Sequence, residues 1–151
     1  MDESAAIIRK MTLDDVKTVY TIECASFPNT SWSIEAFRRE LTANEFATYF
    51  VIEHRGEIVG YCGTWIIIDQ SQITTIAIDR GMRGHGYGKA LLQHAKTYAK
   101  KSAEILSLEV SVDNERAMIL YENEGFKYGG IRKDYYGPGK DAHVMWVNLN
   151  E

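Results

Sequence analysis

Six consecutive residues, Arg83-Gly84-His85-Gly86-Tyr87-Gly88, constrain this chain more than any others. They follow an apolar run, Ile73 to Ile78, and they open an amphipathic run, Lys89 to Lys100. A glycine-rich loop between a strand and a helix start is a ready anion site. Its glycines let the backbone approach a ligand closely, and the first N–H groups of a helix have no partner within the helix. The segment therefore calls for a strand–loop–helix unit and suggests a phosphate-bearing ligand. A plain connecting turn is the bland alternative, but the charge of Arg83 suits a pyrophosphate better than a buried connection.

Spacing separates the known phosphate loops. A P-loop places Lys-Ser or Lys-Thr after its last glycine; here Gly88 is followed by Lys89-Ala90, with no hydroxyl for a magnesium ion. The dinucleotide fingerprint needs glycine or alanine three residues after its second glycine. Counted from Gly84 that place holds Lys89, and counted from Gly86 it holds Leu91. The pattern R/Q-x-x-G-x-G/A is met by Arg83, Gly86 and Gly88. It resembles the pyrophosphate loop of the GCN5-related N-acetyltransferases (GNAT), which bind acetyl-coenzyme A.

The bulk numbers narrow the rest. A chain of 151 residues is one domain by size, spanning 1–151. A hydrophobic share of 45% is ample for a core. The net charge of -4 argues against a nucleic-acid binder and tolerates a basic peptide as partner. Cys24 and Cys62 stand far apart, in no C-x-x-C pattern, and read as small core residues in a reducing compartment. A disulfide has no support. The four histidines, His54, His85, His94 and His143, are scattered, so no metal is expected. No signal peptide or long apolar stretch is visible, which makes a cytoplasmic enzyme the default expectation.

Periodicity orders the elements. A first strand is expected over Ala5 to Arg9. Thr12 then starts a helix with acids in its first turn, and Val16, Val19, Tyr20, Ile22 and Cys24 form its face. Phe27-Pro28-Asn29-Thr30 breaks it. Ser33 caps a second helix carrying Ala36, Phe37, Glu40 and Leu41. Strands follow over Thr48 to Glu53, Ile58 to Ile68 and Ser71 to Ile78, with turns at Arg55-Gly56 and Asp69-Gln70. A helix over Tyr87 to Lys101 carries Ala90, Leu91, His94, Ala95 and Tyr98 inward, with Lys96, Lys100 and Lys101 on a solvated face. A buried strand, Ile105 to Val110, precedes a short helix, Asn114 to Asn123, ended by Gly125-Phe126. Two strands, near Tyr128 to Lys133 and Val144 to Leu149, close the domain around Gly137-Pro138-Gly139. The result is an α+β domain with a mixed, mostly antiparallel central sheet flanked by helices, in the order β-α-α-β-β-β-α-β-α-β-β.

That order is the order of the GNAT fold, so the resemblance spans nearly the whole chain. A finer likeness is carried by Leu108-Glu109-Val110, Asn114, Leu120-Tyr121, Gly125-Phe126, Gly130-Ile131-Arg132-Lys133-Asp134-Tyr135-Tyr136, Trp32-Ser33, Ala142 and Val144-Met145. These resemble the bacterial ribosomal-protein-alanine N-acetyltransferases, the RimI type. The family often has a proline or a short acidic turn after Asp79, where this chain has Arg80-Gly81-Met82. The loop from Phe27 to Trp32 is longer than in some relatives.

The resemblance implies roles residue by residue. Acetyl-coenzyme A would lie against the main chain of Ile76-Ala77-Ile78 and the loop Arg83-Gly84-His85-Gly86-Tyr87-Gly88-Lys89, with Asn114 on its pantetheine arm. Asn114 is equally a natural N-cap. Glu109 would be the general base. By itself, a carboxylate between Leu108 and Val110 is as readily a salt-bridged edge residue. Tyr121 would be the general acid, because a phenol with a reference pKa of about 10 stays protonated at neutral pH; a packed aromatic is the plain alternative. Phe27, Trp32, Tyr135 and Tyr136 would wall the peptide groove.

The implied activity is N-α-acetylation of a protein N-terminus, the alanine of a small-subunit ribosomal protein. The alternatives are acetylation of a lysine, a polyamine or a small molecule, and a non-catalytic module that binds acyl-coenzyme A. Oligomeric state is not legible.

Overall fold

Arginine 9 illustrates how this chain turns local residues into long-range ties. A computed structural model describes residues 6–28 and 31–150. The first strand, β1, covers Ala6–Lys10. From it Arg9 grips Asp15 with both terminal nitrogens, at 2.8 and 2.9 Å. Its Nε donates to Glu53 at 2.6 Å. Asp15 also accepts from the Thr12 amide at 2.7 Å and closes a 3-10 turn, Leu13–Asp15. Helix α1, Val16–Ser26, follows directly, and α2 spans Ile34–Thr42. Ser33 accepts from the Ala36 amide at 3.0 Å, as an N-cap serine should.

The strands then arrive in sequence: β2 over Ala47–His54, β3 over Glu57–Ile67 and β4 over Gln70–Ile78. Arg55 and Gly56 both have positive φ, the conformation a two-residue hairpin turn needs. A second 3-10 turn, Arg80–Met82, leads to α3, Tyr87–Lys100. Strand β5 covers Ile105–Ser111, helix α4 Glu115–Asn123, β6 Lys127–Arg132 and β7 Ala142–Asn148. The sheet order is β1-β2-β3-β4-β5-β7-β6, and β4 pairs with β5 in parallel. This is the expected α+β order.

The chain groups into two compact units. One runs up to Trp65 and includes Ile73–Ala95; the other comprises Ile66–Gln72 and the chain from Lys96 on. In the first, β1 pairs antiparallel with β2, and β2 with β3. Its core joins Val16, Val19 and Ile22 of α1 to Phe37, Tyr49, Val51 and Tyr61. In the second, β5 pairs antiparallel with β7, setting Leu108 opposite Met145 and Glu109 opposite Val144. Strand β6 pairs with β7 and is exposed along its length.

Several expectations need correction. Ile68 is not in a strand: it has φ +58° and is almost fully exposed, so the turn is Ile68-Asp69 and β4 already begins at Gln70. The buried face of α1 includes Glu23, while Tyr20 and Cys24 are only half-buried. Cys62 is the fully buried cysteine, and both are free thiols. Lys96 is not on a solvated face: its ammonium donates to the Glu124 carbonyl at 2.8 Å. Strand β5 is not buried throughout, because buried and half-buried residues alternate along it. The last two strands begin earlier than the pattern suggests, at Lys127 and Ala142. Ala5, Asn29 and Thr30 lie outside the described residues.

Two outcomes follow for stability. A Cβ on Gly63 would collide with the Tyr49 ring and stand 2.7 Å from Thr74 Oγ1. Tyr49 is held by Glu40 at 2.8 Å and Thr74 at 2.9 Å, so it cannot swing aside cheaply. Gly63→Ala is expected to destabilise by about 3 kcal/mol or more, lowering the melting temperature by roughly 6–12 °C. The second concerns acid. Arg9 foremost holds the Asp15 carboxyl below the usual range, against the opposing effect of burial. A depressed folded value contributes stability that is complete above the unfolded carboxyl value of about 3.9. That stability is lost as pH falls through the folded value. Melting temperature against pH should therefore fall less steeply below pH ~4 in Asp15→Asn than in the wild type.

Candidate active site

The glycine loop is built for exposure. Gly84 and Gly86 have φ of +87° and +82°, and nothing stands where their Cβ atoms would be. Conformation, not crowding, calls for glycine at both places. Arg83, His85 and Lys89 are exposed, whereas Tyr87 is buried, its ring 5.9 Å from His54 and 5.6 Å from His85. The Ala90 amide donates to the Gly86 carbonyl at 3.0 Å, which marks the first helical hydrogen bond of α3. The amides just before it are the ones that helix geometry leaves without an intrahelical partner. Asp79 caps the preceding 3-10 turn by accepting from the Gly81 amide at 3.3 Å. The Arg80-Gly81-Met82 departure is thus a capped turn that leaves the loop intact. A run of exposed residues, Arg83 to Gly86, leading into a helix start and opened by a positive residue suits a phosphate group.

Strand β4 reaches this loop through Ile76, Ala77 and Ile78. Ala77 is buried and its two neighbours are half-buried. Nearer the start of the strand, Gln70, Ser71 and Gln72 pair in parallel with Ile105, Leu106 and Ser107 of β5.

In the second unit the centre is Glu109. Its side chain is only 11% exposed. One oxygen, Oε1, accepts from Gln72 Nε2 at 2.9 Å. The other, Oε2, lies 3.2 Å from Arg132 Nε. The Tyr136 hydroxyl donates to the Glu109 carbonyl at 3.3 Å. Burial pushes the Tyr136 phenol up to about 12, helped by the charges of Tyr135 and Glu109. Burial first, and then the Glu109 carboxylate, also raises Tyr135. The two tyrosine rings meet edge to face with centroids 4.9 Å apart, and the Arg132 guanidinium sits 5.8 Å from the Tyr135 centroid. Glu109, Tyr135 and Tyr136 are therefore brought together as one polar and aromatic cluster. Gln72 and Arg132 complete it, and the sequence carries no signal that either would. Gln72 is 37 residues from Glu109, and only the parallel register delivers it.

Helix α4 places the other two residues. Asn114 is its N-cap, with Oδ1 accepting from the Ala117 amide at 3.2 Å. Its amide nitrogen is a different atom, so a second role is compatible with the cap. Tyr121 is 6% exposed near the end of the helix, and its ring lies 5.8 Å from Phe126. Gly125, with φ +92°, ends the helix.

Phe27 and Trp32 belong to the first unit, and both pack on its core. Trp32 stands 5.4 Å from Phe37 and 6.0 Å from Tyr49. Its amide donates to Glu23 Oε2 at 2.9 Å. Glu23 is 1% exposed, and its Oε1 accepts from the Thr75 hydroxyl at 3.0 Å and from the Tyr61 hydroxyl. A buried glutamate on α1 was not anticipated; its only mark in the sequence is its spacing from Val16 and Val19. Among the described residues no cluster of histidine, cysteine and acids could hold a metal. No helix there is long and apolar enough to cross a membrane.

Comparison with known proteins places this arrangement. The sequence profile of the Acetyltransferase (GNAT) family matches residues 16–126. A protein of Bacillus subtilis (strain 168), provisionally named for ribosomal protein bS18-alanine N-acetyltransferase activity, is 46% identical over 151 residues, covering 99% of each chain. The ribosomal protein bS18-alanine N-acetyltransferase of Escherichia coli (strain K12) is 31% identical, over 95% of this chain and 97% of its own. A crystal structure of the ribosomal-protein-S18-alanine N-acetyltransferase from Escherichia coli superposes with a TM-score of 0.86 at 28% identity, covering 96% of this chain and 94% of the other. The chain belongs to the GNAT family. It is an acetyl-coenzyme A-dependent N-acetyltransferase.

The loop geometry gives an expected outcome. An alanine at position 86 must take a positive φ that costs an L-residue roughly 1–2 kcal/mol. Gly86→Ala is therefore expected to weaken coenzyme A binding about tenfold, measured by calorimetry, with the fold retained.

Proposed function

We propose that this enzyme acetylates the N-terminal amine of a protein, and that the acceptor is the N-terminal alanine of ribosomal protein bS18. The acceptor is supported by the names and full-length similarity of the Bacillus subtilis and Escherichia coli relatives. The family profile runs across both compact units, which supports taking 1–151 as one catalytic domain. A cytoplasmic location fits a ribosomal protein as substrate.

One observation carries the chemistry: a nearly buried carboxylate, Glu109, flanked by Tyr135 and Tyr136 and held by donors at both oxygens. In the first unit the main-chain amides of Arg83 to Lys89 hold the pyrophosphate and the main chain of Ile76 to Ile78 holds the pantetheine arm. In the second unit Tyr135 and Tyr136 bind the acceptor peptide.

The acceptor must be neutral to attack. An α-amino group has a pKa of about 7.7–8.0 against about 10.4 for lysine, so an α-amine needs less help. Glu109 takes one proton from the ammonium, directly or through a water. The freed nitrogen lone pair forms the C–N bond at the thioester carbonyl, and the C–S bond breaks with its electron pair on sulfur. Tyr121 gives its proton to that sulfur and regains one from the acetylated nitrogen. The net products are the amide, the free thiol and one proton, which Glu109 passes to solvent.

Glu109→Gln is expected to cut turnover of an alanine-starting peptide at least a hundredfold, within the usual range for general base catalysis, with coenzyme A affinity unchanged. Tyr121→Phe should slow thiol release, followed with a thiol reagent; full activity would assign Tyr121 to packing. Unchanged turnover in Glu109→Gln would remove Glu109 from the mechanism.

A further inference from the structure

The two oxygens of Glu109 are held in unlike ways. Oε1 faces a neutral donor, Gln72, at 2.9 Å, on a strand whose register with β5 is fixed by the sheet. Oε2 faces a cation, Arg132, at 3.2 Å, and that side chain is 59% exposed. Arg132 lies at the end of β6, the strand exposed along its whole length, and its head also rests against the Tyr135 ring. A half-solvated guanidinium in a single ion pair is worth little and is readily exchanged for another cation. A protonated α-amine is such a cation, and it approaches the same carboxylate.

We propose that Gln72 and Arg132 are the positioning residues of the Glu109 base, Gln72 as a permanent clamp on Oε1 and Arg132 as a resident counter-ion on Oε2 that the acceptor ammonium displaces. This rests on Glu109 acting as base. Gln72 sets the direction in which the carboxylate faces, and Arg132 keeps its second oxygen paired until an acceptor arrives. When the ammonium enters, Arg132 keeps its contact with the Tyr135 ring and its exposure to water, so leaving the carboxylate costs it little. Oε2 is then the oxygen that receives the proton.

The other ionisable groups at this carboxylate are the phenols of Tyr135 and Tyr136. His143 is out of register with it, paired with Val110, and its ring is packed on Tyr128. Arg132 is therefore the one cation of the second unit in contact with Glu109 among the described residues. Its removal should be visible in the KM for the acceptor peptide.

The test is steady-state kinetics from pH 5 to 9 with an alanine-starting peptide and acetyl-coenzyme A, on Gln72→Leu, Arg132→Met and Arg132→Lys. Arg132→Met should lower the KM for the peptide several-fold at pH 8, because the acceptor no longer competes with a resident cation. Arg132→Lys should restore the peptide KM toward wild type. Gln72→Leu should leave the peptide KM nearly unchanged and reduce kcat about tenfold or more. In a Glu109→Gln background neither Gln72→Leu nor Arg132→Met should lower kcat further, since residues acting through one group are not additive.

If Glu109→Gln alone keeps full turnover, the base assignment is wrong and the inference goes with it. If Glu109→Gln is inactive while Arg132→Met raises the peptide KM or leaves it where it was, the base stands and the displaceable counter-ion is refuted. If Gln72→Leu folds and keeps wild-type kcat, the clamp is refuted. Arg132 is exposed, so its variants carry the test even if Gln72→Leu fails to fold.

Discussion

A carboxylate withdrawn from water must find donors for its oxygens, or its burial costs several kcal/mol. Glu23 and Glu109 both meet that demand, one in each compact unit, and much of the architecture can be traced from them. Glu23, on α1, is met by a main-chain amide and two hydroxyls, from Trp32, Tyr61 and Thr75. It ties Trp32, in the segment that leads into α2, to strands β3 and β4. Its donors are all neutral, and it has almost no exposure. Glu109, on β5, is met by Gln72 and by the exposed cation Arg132. The first arrangement is closed. The second has an exchangeable partner, and this difference suits the first to holding a fold and the second to handling a proton.

The chemistry then divides along the chain. The glycine loop offers main-chain donors, which recognise charge and shape without depending on side-chain identity. The β5–α4 segment offers side chains, which have to be placed atom by atom. Asn114 shows how economical that placement is: one oxygen caps α4, and the same side chain keeps a free choice for its nitrogen. Tyr136 shows another economy. Its hydroxyl fastens the loop between β6 and β7 to the β5 main chain at Glu109 itself.

Much of the fold was legible from local residues. Ser33 and Asn114 cap the helices they were expected to cap, Arg55-Gly56 turns a hairpin, and Gly125 ends α4. Each of these is settled within a few residues by dihedral preference or by one short-range hydrogen bond. The misses have a common cause. Ile68 is β-branched and apolar, so pattern alone extends β3 through it. The two-residue connection puts it at positive φ, and the strands on either side outweigh that local cost. Glu23 escapes the pattern because polarity argues against burial, and donors from Trp32, Tyr61 and Thr75 overrule it. Lys96 finds the carbonyl of Glu124, 28 residues on, which no helical pattern announces.

By itself the sequence determined the order of elements, the glycine-rich turn between β4 and α3 and the family, because strand and helix periods and glycine dihedrals are local properties. Only the tertiary structure decided what surrounds Glu109. Gln72 and Arg132 lie 37 residues before it and 23 after it in the chain, and they become its neighbours through the β4–β5 and β7–β6 pairings. Side-chain parity along a strand can be read from residue types. Which strand lies alongside, and in which register, depends on hydrogen bonds closed across long loops, and those exist only once the sheet has formed.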